Sequence, residues 1–161
     1  MTGILSVNNL LAIYQIVTLI FIFLFAIYDQ RHYKIRNTPL LAFFIWCLFS
    51  IPVATMAEPA LPWYIPLLKS GLGFVTGFMI LFCVALITKG GVGGGDIKLV
   101  AVLGVPFGAT GLLAILFISS VMAMLVLFIL DRLDKLDIEH IPFAPYLFVG
   151  SLIYTLPELI R

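Results

Sequence analysis

Charge is scarce in this chain. Only 11% of its 161 residues are charged, against roughly a quarter in soluble globular domains. Mean hydropathy is +1.20, so there is too little polar surface to cover a water-facing globule. A net charge of +1 gives no electrostatic basis for a nucleic-acid partner. Cysteine is almost missing. Cys47 and Cys83 lie inside apolar blocks and form no CxxC pair, which excludes a zinc ribbon or a dithiol redox motif. The two histidines, His32 and His140, fall in charged loops, and no serine or cysteine beside them suggests a nucleophile. A metal held by Asp29, His32 and Asp96 is a weaker reading than ordinary surface histidine, so neither metal nor cofactor is expected. The opening MTGILSVNN has no positive n-region and no small-residue cleavage site. The first apolar block is therefore expected to stay as a membrane anchor.

What remains is apolar sequence in long blocks parted by short polar segments, the layout of a membrane helix bundle. The spacing predicts an all-α, single-domain membrane protein over residues 1–161, with six transmembrane helices at about 10–28, 40–56, 65–88, 97–107, 111–130 and 143–160. The fourth is shorter than the ~20 residues that a spanning helix needs. Charge argues for counting it. With six crossings and the N-terminus outside, Arg31, Lys34, Arg36, Lys89, Lys98, Arg132 and Lys135 all face the cytoplasm, and only Lys69 and Arg161 do not. Residues 97–130 would extend ~51 Å as one helix, enough for two thin crossings. Both termini are then extracytoplasmic. Trp63 and Tyr64 suit the headgroup level. The GxxxG pairs Gly73/Gly77 and Gly104/Gly108 concern helix packing rather than chemistry.

Six acidic residues fall in the cytoplasmic segments. Asp131, Asp134, Asp137 and Glu139 share the loop DRLDKLDIEH with Arg132 and Lys135 and read as a solvated mixed-charge loop. Asp29 and Asp96 stand apart, each where an apolar block meets the cytoplasmic boundary. A C-terminal helix end disfavours a carboxylate, so Asp29 points to a role beyond capping. Asp96 would serve as N-cap of a helix starting at Ile97, but this leaves the run GGVGGG before it unexplained. Glycine backbone takes positive φ and admits close approach. Such backbone at membrane depth survives where it is buried or lines a wet cavity. Two facing carboxylates would share one proton and supply a general base and a general acid.

These residues carry a resemblance. The stretch GGVGGGDIKLVAVLGVPFG is similar to the second motif of the prepilin peptidases, GxGD-type intramembrane aspartic proteases, with Gly93, Gly94, Gly95 and Asp96 as GxGD and Lys98 and Leu99 following. YDQRHYKIRN resembles the first motif through Asp29, Ile35 and Asn37, although Arg36 replaces the usual proline. IPFAPYLFVGSLI is similar to the family's last helix. The resemblance implies catalysis by Asp29 and Asp96, substrate binding at Gly93, Gly94, Gly95 and Lys98, and removal of short basic leaders from prepilin or pseudopilin precursors at the cytoplasmic face of the inner membrane. It also implies contact with membrane lipids. The paired CxxC motifs of long members are missing, so the short, peptidase-only form without N-methyltransferase activity is expected, as in tight-adherence pilus systems. A preflagellin-type peptidase would share both motifs. A small proton-coupled transporter or channel would also use intramembrane carboxylates beside a glycine break, although only one half of the chain has such a break. An inactive scaffold is the third reading.

Overall fold

The computed structural model describes residues 2–32, 37–58, 60–89, 91–132 and 142–160. Six helices follow one another: α1 (Thr2–His32), α2 (Asn37–Leu48), α3 (Ser50–Ala57), α4 (Tyr64–Ile87), α5 (Gly94–Arg132) and α6 (Ala144–Leu159). Among the described residues there is no strand. Four stretches are long and apolar enough to cross a bilayer by length and composition: Asn9–Arg31, Asn37–Ala57, Tyr64–Ile87 and Gly94–Leu130, with Ala144–Pro157 a shorter apolar helix. The outer surface is apolar too. Phe117, Met124 and Ile87 are more than 70% exposed, as side chains solvated by lipid rather than water would be. The chain is a multi-pass membrane protein.

The helices differ from the six spans read from sequence in ways that trace to proline and glycine. The block 40–56 divides at Phe49 into α2 and α3. Pro52 has no N–H, and its ring would strike the carbonyl of Leu48 four residues back. The chain answers with a tight turn in which Phe49 N donates to Trp46 O at 3.0 Å. The fourth and fifth blocks form one element, α5, broken at Gly108, whose φ of 65° and ψ of 179° are not helical. A residue with a side chain rarely adopts that conformation. Pro106, two residues earlier, weakens the same turn.

At Gly108 the chain turns back on itself. A Cβ placed on Gly77 would lie 2.7 Å from Val100 O and 2.8 Å from Leu112 Cδ2. On a straight helix those two residues would be ~18 Å apart. The arms 94–107 and 109–132 thus form a hairpin against α4. The first arm is the centre of the bundle. Val100, Ala101, Val102 and Leu103 are consecutive, and each is at most 5% exposed. A helix buried all round is a core helix, which explains why the fourth block is too short to span alone. Ile22, Phe43, Leu112 and Leu147 close around it, each fully buried.

Glycine sets how closely α4 and α5 meet. A Cβ on Gly73 would fall on the Gly104 carbonyl, and a Cβ on Gly104 would fall on the Gly73 carbonyl. Small residues let backbones touch where apolar burial cannot drive association. Of the two GxxxG pairs, Gly73, Gly77 and Gly104 serve packing, while Gly108 makes the turn. Gly71, two positions before Gly73 on the same helix, meets nothing within 4 Å. Gly73→Ala should therefore lower the thermal midpoint in detergent, by overpacking worth roughly 1–3 kcal/mol. Gly71→Ala should hold or raise it, since alanine is the better helix former.

Candidate active site

Asp29 and Asp96 lie at the same end of the bundle. Asp29 is in the last turn of α1, and Asp96 is in the first turn of α5. The hydrogen bond from Lys98 Nζ to Asn37 Oδ1 joins the segment after Asp96 to the segment after Asp29, so the two acids share one end of the bundle despite a separation of 67 positions, from 29 to 96.

Asp29 is 5% exposed, and its Oδ2 accepts a hydrogen bond from the Ala144 backbone N–H at 3.2 Å. Phe143 contributes a second backbone hydrogen bond. Both donors belong to the start of α6, where Phe143 is the N-cap residue and the next position but one is Pro145. The first N–H groups of a helix have no partner within it, and the positive end of its dipole favours an anion. The adverse field of α1's own C-terminus is thus offset by α6. Sequence reasoning gave IPFAPYLFVGSLI no such role. The signal was the Pro at the second helical position, a mark of a helix N-terminus.

Asp96 is half-buried, and its Oδ1 is buried without a hydrogen-bond partner. It is not the N-cap expected for a helix beginning at Ile97. The helix begins at Gly94, and Gly93 O accepts from Asp96 N at 3.0 Å and from Ile97 N at 3.3 Å. Asp96 is therefore the third helical residue, where the dipole still favours negative charge.

The glycines act through space rather than through unusual dihedrals. Among the described residues of the run, none has positive φ. That conformation falls on Lys89 (φ 50°), just after α4. A Cβ on Gly93 would sit 3.2 Å from Asp96 Oδ2, so the missing side chain leaves room for the carboxylate. Gly94 is exposed and meets nothing within 4 Å, and Gly95 is half-buried. Thr88 braces the entry to the run, accepting from Gly91 N at 3.2 Å and donating to Val84 O at 2.8 Å.

Lys98 is exposed, and its Nζ donates to Asn37 Oδ1 at 3.2 Å. Asn37 opens α2, so this bond ties the segment after Asp29 to the segment after the glycine run. Ile35, Arg36, Lys34 and the Asp134–His140 part of the charged loop lie outside the described residues, as do the side chains of His32 and Asp131. Among the described residues no group of three His, Cys, Asp or Glu could hold a metal.

The fold is thus an apolar helical membrane bundle with two acidic residues, Asp29 and Asp96, at one end. The family model of the type IV leader peptidase family matches residues 16–129, which include both aspartates, the glycine run and all but the last three residues of the hairpin. The chain belongs to the type IV leader peptidase family. It is 34% identical over 123 residues to the prepilin leader peptidase/N-methyltransferase of Bacillus subtilis (strain 168). That alignment covers 76% of this chain and 47% of the relative, so the chain spans about half the length of the curated relative it matches. No solved structure matches the chain.

The α6 N-terminus makes a stability prediction independent of activity. Asp29→Asn keeps an acceptor for the Ala144 N–H and should be mild. Asp29→Leu leaves buried donors unpaired and should cost roughly 1–3 kcal/mol more. Melting of the two variants in detergent measures the difference.

Proposed function

We propose that the protein is an aspartic-type endopeptidase that removes the short basic leader of a prepilin or pseudopilin precursor at the cytoplasmic face of the membrane. The observation that carries this reading is that Asp29 and Asp96 lie at one end of the bundle in a member of the type IV leader peptidase family. The name of the Bacillus subtilis relative supports the choice of substrate class.

Two carboxyl groups at close quarters do not both ionise cheaply, so they hold one proton between them. The ionised member takes a proton from water as general base. The protonated member polarises the scissile carbonyl and later delivers its proton to the leaving amine. The arrangement suits both tasks. Asp29 is anchored through Oδ2 by α6, a bond that does not use Oδ1. Asp96 has an oxygen with no protein partner.

A precursor of this class carries a basic leader joined to an apolar helix already in the membrane. Its scissile bond then lies near the membrane boundary, the level of both aspartates in a bundle with extracytoplasmic termini. A helical peptide hides its carbonyl, so the substrate must unwind locally. The open backbone at Gly93, Gly94 and Gly95 offers groups to pair with the unwound segment, as in strand addition. Lys98 keeps two of its three N–H donors beyond the bond to Asn37, enough to hold a substrate carbonyl.

Asp29→Asn and Asp96→Asn should each lower leader removal by at least ~100-fold, the lower end of general acid–base contributions, while both variants insert and melt as the parent does. Cleavage of a co-expressed prepilin, followed by the mobility shift of the mature form, reads this out. Parental turnover in either variant would overturn the reading. Gly93→Val, which crowds Asp96 Oδ2, should reduce cleavage without unfolding the bundle.

A further inference from the structure

At the end of the bundle away from the aspartates lies a cavity of about 750 Å³. Its origin is the hairpin. The turn at Gly108 comes level with Lys69, whose carbonyl is 3.7 Å from where a Gly108 Cβ would stand. Lys69 is five residues into α4, which opens at Tyr64, so the hairpin stops ~7 Å short of that end of α4. Val105, Pro106 and Phe107 form the floor of the space left above it, and α1, α3 and the start of α4 form its walls.

The walls are not apolar. Lys69 and Glu58 line the cavity with Asn9, Ser50 and Ser70. Among the described residues, no hydrogen bond or ion pair engages the Lys69 ammonium or the Glu58 carboxylate. Ser50 is 7% exposed, its Oγ has no hydrogen-bond partner, and it lines both this space and a smaller neighbouring cavity of about 170 Å³. A buried hydroxyl without a partner is costly, while Lys69 and Glu58, both exposed and the latter just past the apolar stretch that ends at Ala57, present one positive and one negative group to the same cavity. One positive and one negative wall call for a ligand with one charge of each sign.

We propose that this cavity binds the headgroup of a zwitterionic, ammonium-bearing phospholipid, with the phosphate on Lys69 and the ammonium on Glu58. Trp63 and Tyr64 stand immediately before and at the start of α4, and both are exposed, as suits headgroup depth. A lipid at that level reaches Lys69 by sinking about one and a half helical turns. The hydroxyl of Ser50 then gains an acceptor in a phosphate oxygen. The site is separate from the aspartates and does not rest on the peptidase reading.

Native mass spectrometry of the full chain in detergent tests it with phosphatidylethanolamine, phosphatidylcholine and phosphatidylglycerol at equal concentrations. Phosphatidylethanolamine should be retained roughly tenfold more than either of the others, since phosphatidylcholine has no N–H to give Glu58 and phosphatidylglycerol has no cation, and one charge-assisted hydrogen bond is worth about that factor. Lys69→Gln and Glu58→Gln should each erase the preference. Soluble O-phosphoethanolamine should not displace the lipid, which separates a lipid site from a site for the free headgroup. Equal retention of the three lipids by the unaltered chain would overturn the proposal whatever the variants do. So would a preference for phosphatidylglycerol, displacement by O-phosphoethanolamine, or unchanged selectivity in both variants.

Discussion

The contact of bare backbone between Gly73 and Gly104 holds the rest of the structure in place. In a bilayer, burying apolar side chains gains little, because lipid is as apolar as leucine. Helices must associate by close fit, and here α4 and the first arm of α5 touch where any Cβ would collide. That fit draws the first arm into the middle of the bundle and buries residues 99–103. It also fixes where the arm begins. Asp96 is three residues into that arm, so its depth and heading follow from the glycine seam rather than from the glycine run alone. The hairpin's short reach, and with it the cavity above Gly108, follow from the same seam.

The opposite acid is held by different means. Asp29 ends a helix whose own field opposes it, and the first turn of α6 supplies the compensating N–H groups. An aromatic layer steadies α1 against α2 along the way. Tyr14 stacks on Trp46 with centroids 5.3 Å apart, and Phe25 lies against Phe43 at 5.7 Å. Trp46 Nε1 also donates to Thr18 Oγ1 at 3.1 Å, so a polar tip inside the apolar seam is satisfied. Each carboxyl group therefore sits on an element whose position is set well away from it, as a precise site on helices requires.

Much of this was legible in the sequence, and what was not has physical reasons. Apolar blocks and charge scarcity identified a helical membrane bundle, and the motifs around Asp29 and Asp96 pointed to the family. The break at Phe49 was missed because Pro52 acts four residues upstream of its own position. The N-cap reading of Asp96 was wrong because Gly94 and Gly95, poor helix formers in isolation, are nonetheless helical once the arm is packed. Positive φ was expected in the glycine run and, among the described residues, falls instead on Lys89 and Gly108. The pairing of Asp29 with Ala144 joins residues 115 apart, and no local pattern encodes such a contact. The buried, central status of the fourth block was hidden by its composition, since a core helix and a membrane helix are equally apolar.

The hydrogen bond from α6 to Asp29 bears on how the chain matures at the ribosome. Asp29 reaches the membrane with the first helix, yet its N–H donors arrive with the last. Until residues 143 and 144 have been made and α6 has docked, this carboxyl group faces only the unfavourable end of its own helix. A nascent chain with five helices inserted therefore holds this acid without its anchor, and the last helix to be made completes the setting of a residue in the first.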